Sequence, residues 1–333
     1  MPVSRPPHLA RQVAVPPHIT PVPPPLPPGA PRAPGPWLLA LEGRAPLEFM
    51  VGQLARPWLR QLPRGDGHAV IVYPGLGAND ASTAPLRAFL AEQGYEVHRW
   101  GQGFNLGPRE GVLDALRAQL RSVHAQSRRP VSLVGWSLGG LYARELAKEM
   151  PEAVRCVITL GSPFSAPPQA TNAWRFFEWV SGQAAHEHEM LGQLHEAPPV
   201  PTTSILSRTD GIVAWEASLN GHEAHTENIE LHASHLGIGM NPLALYVVAD
   251  RLRQQPATWQ RFDPQGAQRW LFRTAHRPPH HLHAQAGTSA PVAAGASVDD
   301  APAPIGDPMP VRVPVSTATP GPVTARRGRR SPR

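Results

Sequence analysis

The chain has 333 residues, of which 41% are hydrophobic, with 42 prolines, one cysteine and a formal charge of +6. One cysteine excludes a disulfide framework, no apolar run approaches membrane-spanning length, and the hydrophobic content suffices for one good-sized core. Residues 1–36 carry three arginines and no acid and residues 277–333 carry seven arginines and three aspartates, leaving the middle at −1, so the charge gives no support to a basic nucleic-acid-binding face on the domain.

The prolines are as uneven as the charge: residues 1–36 hold 14 and residues 277–333 hold 11. Polar, proline-rich ends of this kind do not bury enough apolar surface to offset their ordering entropy. Both are therefore expected to be disordered tails, flanking a working domain over residues 37–276. The Arg326-Arg327-Gly328-Arg329-Arg330 cluster is read as a solvated end rather than a site for RNA, DNA or anionic lipid. No apolar signal core precedes the domain, so a cytoplasmic location is expected, with peripheral membrane association as the variant.

In chain order, residues 37–60 read as helix in two pieces, with Pro46 at a first-turn position and Leu47, Met50, Val51, Leu54, Trp58 and Leu59 at helical spacing. The plain expectation is a helix packed on the domain. The alternative is an amphipathic helix on a membrane surface. Residues 68–75 form a strand running into a glycine turn, Pro74-Gly75-Leu76-Gly77. A helix over 83–93 ends at Gly94, and residues 95–100 form a second strand. A helix opens near Pro108 with Val112, Leu113, Leu116, Leu120 and Val123 on its apolar face. Residues 131–134 are a third strand, 138–150 a helix closed by Pro151, and 154–160 a fourth strand that holds Cys156 as a buried thiol. Strands alternating with helices imply a mostly parallel sheet with helices on both faces and right-handed crossovers.

The rhythm breaks over residues 162–201, which read as a helical cap insertion above the carboxyl edge of the sheet, with Trp174 and Phe177 on one helical face. Those aromatics either touch substrate or anchor the insertion. Strands at 202–206 and 228–232, a helix from Pro242 to about 254 and a trailing segment with Trp259 and Trp270 complete the domain.

The third strand stops at Gly135-Trp136-Ser137-Leu138-Gly139 and a helix follows at once. Strand, G-x-S-x-G and helix together define a nucleophile elbow. The turn strains the serine backbone, requires glycine on both sides, and stands the Ser137 hydroxyl above a helix N-terminus. A serine hydroxyl needs a base, and the base needs an acid to fix its tautomer. In this architecture both come from loops at the same sheet edge, in the order Ser, Asp or Glu, His. Asp210 follows the strand ending at 206 and His235 follows the strand ending at 232; Asp250 lies in the last helix, and His222, His225 and His232 fit the post-strand position less well. The oxyanion needs two backbone N–H groups, expected from Leu138 and from Leu76, with Gly77 as the second choice for the latter. His186, His188 and His195 cluster in the insertion, but two histidines two residues apart do not share a helix face, and no metal or cofactor is implied.

On these four segments (the Pro74 turn, the elbow, the Asp210 loop and the Ser234-His235-Leu236-Gly237 loop) the chain resembles the α/β-hydrolase superfamily over residues 66–254. It is most similar to the bacterial lipase and esterase-like branch, including proteins similar to GPI-inositol deacylases. The resemblance implies an α/β-hydrolase fold and an acyl-enzyme on Ser137, formed with His235 as base and released by water. A small-molecule or lipid ester is the expected substrate, its acyl part apolar from the aromatic insertion, with Trp136, Trp174 and Phe177 as candidate substrate contacts. Many lipases have His-Gly where this chain has Pro74-Gly75, and histidine where it has Trp136. Acyl transfer to an alcohol, or a non-catalytic binding module, are the other functions this fold accommodates. The sequence says nothing of oligomeric state.

Overall fold

The computed structural model describes residue 26, residues 28–181 and residues 194–276. The expectations for the C-terminal tail, for most of the N-terminal tail and for His186 and His188 lie outside the described residues. Within them, seven strands form one sheet: β1 (Ala69–Tyr73), β2 (Glu96–His98), β3 (Val131–Trp136), β4 (Val154–Leu160), β5 (Thr202–Leu206), β6 (Thr226–Glu230) and β7 (Arg273–Thr274). Their spatial order is β2-β1-β3-β4-β5-β6-β7. The first six are parallel, and β7 returns antiparallel to β6 through Ile229 opposite Thr274 and Glu230 opposite Arg273.

Successive strand side chains point to opposite faces, so each strand feeds two cores. Ala69, Ile71 and Tyr73 of β1 join Leu116 and Leu120 of α4 (Val112–Ser127) and Leu141 and Leu146 of α5 (Leu138–Glu149). Val70 and Val72 join Leu86, Phe89 and Leu90 of α3 (Asp80–Glu92) and Val248 and Leu252 of α7 (Pro242–Arg253). Burial on both faces is why these strands read as continuous apolar runs.

Local chemistry moves three boundaries from their expected places. The α3 helix starts before Thr83 because Asn79 caps it, accepting from the Ala81 N–H at 2.9 Å. The α4 helix starts after Pro108 because Gly111, at φ 79, holds the chain outside the helical region. The sixth strand lies two residues earlier than expected, so His235 is still beyond its end. The trailing segment packs back: Phe272 stacks on Tyr246 with centroids 5.7 Å apart, and Phe262 meets Phe272 edge-on at 5.2 Å.

Residues 36–59 are helical as expected, in α1 (Pro36–Leu41), a single 3₁₀ turn (Glu42–Arg44) and α2 (Ala45–Leu59). The packed face is not the expected one. Ala45, Gly52 and Leu59 are buried, while Leu47, Met50, Leu54 and Trp58 face outward. The small side holds the helix down because the backbone of the α7 entry loop comes so close that a Cβ on Gly52 would lie 2.3 Å from the Met240 carbonyl oxygen. Among the described residues, no helix is long and apolar enough to cross a membrane.

Candidate active site

Ser137 follows β3 directly and adopts φ 53, ψ −122, one of two non-glycine residues with positive φ among those described. That backbone costs on the order of 1–3 kcal/mol and survives only where the surroundings impose it. Here they do. A Cβ on Gly135 would sit 2.4 Å from the Gly139 carbonyl, and one on Gly139 would sit 2.4 Å from the Tyr73 carbonyl oxygen. The Ser137 N–H is fixed by the Leu160 carbonyl at 2.8 Å. The chain turns straight into α5, whose first N–H, that of Leu138, has no partner within the helix.

Asp210 and His235 arrive at the same sheet edge from the loops after β5 and β6. His235 Nδ1 and Asp210 Oδ2 are 2.7 Å apart, and both side chains are buried. The other Asp210 oxygen accepts from the Ile212 and Val213 N–H groups at 2.8 and 2.7 Å, so its loop orients the carboxylate. Burial works against the His235 imidazolium, but the charge and hydrogen bond of Asp210 and the charge of Glu42 outweigh it and hold the imidazole above its ordinary pKa. An Nδ1–H directed at Asp210 leaves Nε2 as the basic nitrogen, the tautomer needed to take a proton.

The glycine turn after β1 stands beside the elbow: a Cβ on Gly75 would be 3.2 Å from that of Ser137. The Gly77 N–H donates to the Asn105 carbonyl at 2.7 Å, so of the two oxyanion donors considered in this turn it is Leu76 that stays a candidate. Asn105 organises the turn from the loop after β2. Its Nδ2 donates to the Pro74 carbonyl at 2.8 Å and its Oδ1 accepts from the Tyr142 hydroxyl at 3.1 Å.

The aromatic candidates separate. Phe177, in α6 (Trp174–Ser181), is buried in the α4–α5 core, which is the anchoring role; its neighbour Phe176 lies against the turn, 3.0 Å from where a Gly77 Cβ would be. Trp174 is half-buried, with the Arg175 guanidinium 5.2 Å from its ring centre. Trp136 is a brace: its indole N–H donates to the His235 carbonyl at 3.0 Å. This contact ties the His235 loop to the elbow.

A family model described as the alpha/beta hydrolase family matches residues 69–291, more than half of the chain. The chain belongs to the alpha/beta hydrolase family. It is 35% identical over 100 residues to a pimeloyl-[acyl-carrier protein] methyl ester esterase of Shewanella woodyi, covering 29% of this chain and 37% of the relative. It is 34% identical over 121 residues to the esterase of that name from a second Shewanella, covering 36% and 44%. The chain thus matches less than half the length of these relatives. Among solved structures, Aspergillus fumigatus lipase B is similar at 20% identity and a TM-score of 0.45, covering 57% of this chain and 53% of that one. A Pyrococcus furiosus esterase gives 19% and 0.45, covering 58% and 83%.

Several residues that hold this alpha/beta hydrolase site have no motif of their own. Ser207 Oγ accepts from the Thr209 and Ala233 N–H groups, both at 3.1 Å, and so staples the acid loop to the base loop. Glu42, on the turn between α1 and α2, reaches the backbone of both loops. Only the position of Ser207 and Thr209, just ahead of Asp210, could have drawn attention to them.

A second Ser–His–Asp set lies at the other end of the same strand. The buried His68 ring pairs through Nδ1 with Asp66 and through Nε2 with Ser132 Oγ at 2.7 Å, and the Cys156 thiol donates to Ser132 Oγ at 3.3 Å. Asp66 is tied in turn to Arg129 and Arg155. Among the described residues, no group of three or more His, Cys, Asp or Glu side chains is arranged to hold a metal ion.

Proposed function

We propose that the chain is a serine hydrolase that cleaves a carboxylic ester through an acyl-enzyme. The observation that carries this reading is the buried 2.7 Å contact between His235 and Asp210 at the sheet edge where Ser137 is held in a strained turn. In the proposed reaction, His235 Nε2 takes the proton as Ser137 Oγ attacks the ester carbonyl, and Asp210 stabilises the imidazolium. The Leu76 and Leu138 N–H groups receive the oxyanion, aided by the N-terminus of α5. The C–O bond of the leaving alkoxide then breaks, and His235 returns the proton to it. Water, activated by the same imidazole, repeats the attack and frees Ser137. An alcohol in place of water would make the same intermediate a transferase.

An apolar acyl part is supported by Phe104, Phe176 and Leu236, which stand exposed on segments bordering the turn, the elbow and the base. The methyl ester esterases among the relatives favour an ester of an acyl chain. The outward apolar side chains of α1 and α2, with Trp37 at 85% exposure and Leu54 at 77%, favour a substrate presented at a lipid–water interface.

The test is fluorophosphonate labelling with a panel of soluble and aggregated esters, wild type beside Ser137→Ala. Wild type is expected to label and to turn over long-chain esters faster once they aggregate. Ser137→Ala is expected to lose labelling and on the order of 10⁴-fold or more in turnover. Labelling that persists in Ser137→Ala would overturn the assignment.

A further inference from the structure

Glu42 is a buried carboxylate with no part in the reaction above. It lies at 5% exposure on the 3₁₀ turn between α1 and α2, outside the matched residues 69–291. Its Oε1 accepts from the Gly211 N–H at 2.7 Å and from the His235 N–H at 2.9 Å, and its Oε2 accepts from the Leu236 N–H at 2.9 Å. One side chain therefore holds the residue after the candidate acid, the candidate base itself and the residue after the base. Three charge-assisted hydrogen bonds from backbone N–H groups satisfy a buried carboxylate without any cation.

The same segment makes further contacts on these two loops. Glu48, one turn into α2, accepts from the Ser234 N–H at 2.7 Å and from Asn241 Nδ2 at 3.1 Å. Arg44 pairs with Glu48 at 3.1 Å and donates to the Thr209 carbonyl at 2.8 Å. Both loops are shaped for the approach. A Cβ on Gly211 would lie 2.2 Å from the Leu38 carbonyl oxygen, and one on Gly237 would lie 2.6 Å from the Glu48 carboxylate. Glycine there lets the segment come down onto the acid loop and the base loop together. The charged groups around the His235 loop are thus Asp210, Glu42, Glu48 and Arg44.

We infer that Glu42 is a positioning residue: it locks the Asp210 and His235 loops in register with each other, and the helical segment before the family domain is part of the catalytic apparatus. The inference rests on the serine hydrolase reading for its effect on rate, but not for its effect on His235. Without the Glu42 carboxylate, the contacts that still join the two loops (the Asp210–His235 pair, the staple through Ser207 and Thr209, and the Arg44–Glu48 bridge between Thr209 and Ser234) leave the backbone N–H groups of Gly211, His235 and Leu236 without their shared acceptor. A shift of about 1 Å in a reacting group costs about 10²-fold in rate. Losing a negative charge beside the imidazole also lowers its pKa.

The experiment uses the full chain as wild type, Glu42→Gln, Glu42→Asp and Glu48→Gln. It records the pH dependence of Ser137 labelling and the NMR titration of the His235 ring. Glu42→Gln is expected to lower the plateau labelling rate 10- to 100-fold and to move both the acid limb and the His235 midpoint to lower pH. Glu48→Gln, whose bonds go to Ser234 and Asn241, is expected to slow labelling with the limb in place. Should Glu42→Gln yield no folded protein, Glu42→Asp keeps the charge on a shorter arm, and a reduced plateau with an unshifted limb is expected. A folded Glu42→Gln with the wild-type His235 midpoint, or Glu42→Asp with the wild-type plateau, overturns the inference. Absence of labelling in wild type overturns the hydrolase reading instead, and the His235 midpoint still decides the role of Glu42.

Discussion

Strand β3 has a serine at each end, and each serine has a histidine and an aspartate near it. Ser132 stands near the start of the strand and Ser137 just past its end, five positions on, or roughly 17 Å of extended chain. At the start, each donor has an acceptor: Cys156 donates to Ser132, and His68 bridges Ser132 and Asp66. Ser132 is fully buried in mid-sheet, paired with Val70 on one side and Cys156 on the other. It has no turn to expose it and no helix N-terminus below it. At the far end the strand breaks into a strained turn, a helix begins, and the candidate base His235 is held through its backbone N–H by Glu42. The electrostatics diverge as well. Burial is the largest single influence on both imidazoles: at His68, with the charge of Arg155, it outweighs the Asp66 hydrogen bond and lowers the pKa, whereas at His235 Asp210 and Glu42 together outweigh it and raise the pKa. Residue types alone do not separate a candidate catalytic set from a structural one; the backbone under the serine and the charges around the imidazole do.

The comparison predicts opposite outcomes for similar substitutions. Asp210→Asn leaves the fold intact but removes the charge that fixes the His235 tautomer, and a loss of about 10⁴-fold in ester turnover and labelling is expected. Turnover within tenfold of wild type would mean that Asp210 does not orient the base. Ser132→Ala is the counterpart at the other end. It strands His68 Nε2 and the Cys156 thiol, so denaturant unfolding should show a loss of about 1–3 kcal/mol, while Ser137 labels within about twofold of the wild-type rate. A labelling defect as large as that of Asp210→Asn, with stability unchanged, would collapse the distinction.

The placing of Ser137, Asp210 and His235 at one edge is legible in the sequence because each follows a strand by a few residues, and parallel strands deliver all their exits to one side. The fold is legible for the related reason that strands buried on both faces read as apolar runs. What escapes is what depends on distant approach. Glu42 and His235 are 193 positions apart, and nothing in the 3₁₀ turn marks its carboxylate for a loop that far along the chain. Asn105 sits between two glycines in an irregular loop with no periodicity to read. The α2 helix misleads in another way. Its apolar spacing is real, but the packed side was set by the space available over Met240, which admits Gly52 and not Leu54. His68 reads as the first residue of a strand, and its pairing with Ser132 across the sheet is again tertiary.

The smallest expected effect separates the two histidines by the sign of their linkage to folding. His68 has a folded pKa below its unfolded value near 6.5, so its unfolded form binds the proton first. Stability tied to His68 is therefore complete above about pH 6.5 and falls as the pH drops towards the folded value. His235 is the reverse. Its folded pKa is raised, so its contribution is present in acid and is lost as the pH rises through the folded value. Unfolding free energy followed by denaturant titration between pH 4.5 and 8 should thus have two opposed limbs. His68→Gln keeps a polar side chain between Asp66 and Ser132 but has nothing to titrate, so it should flatten the acid limb and leave the alkaline one. His235→Gln should do the opposite. An acid limb that survives in His68→Gln would place the buried proton acceptor elsewhere, and the contrast between the two ends of β3 would then rest on backbone geometry alone.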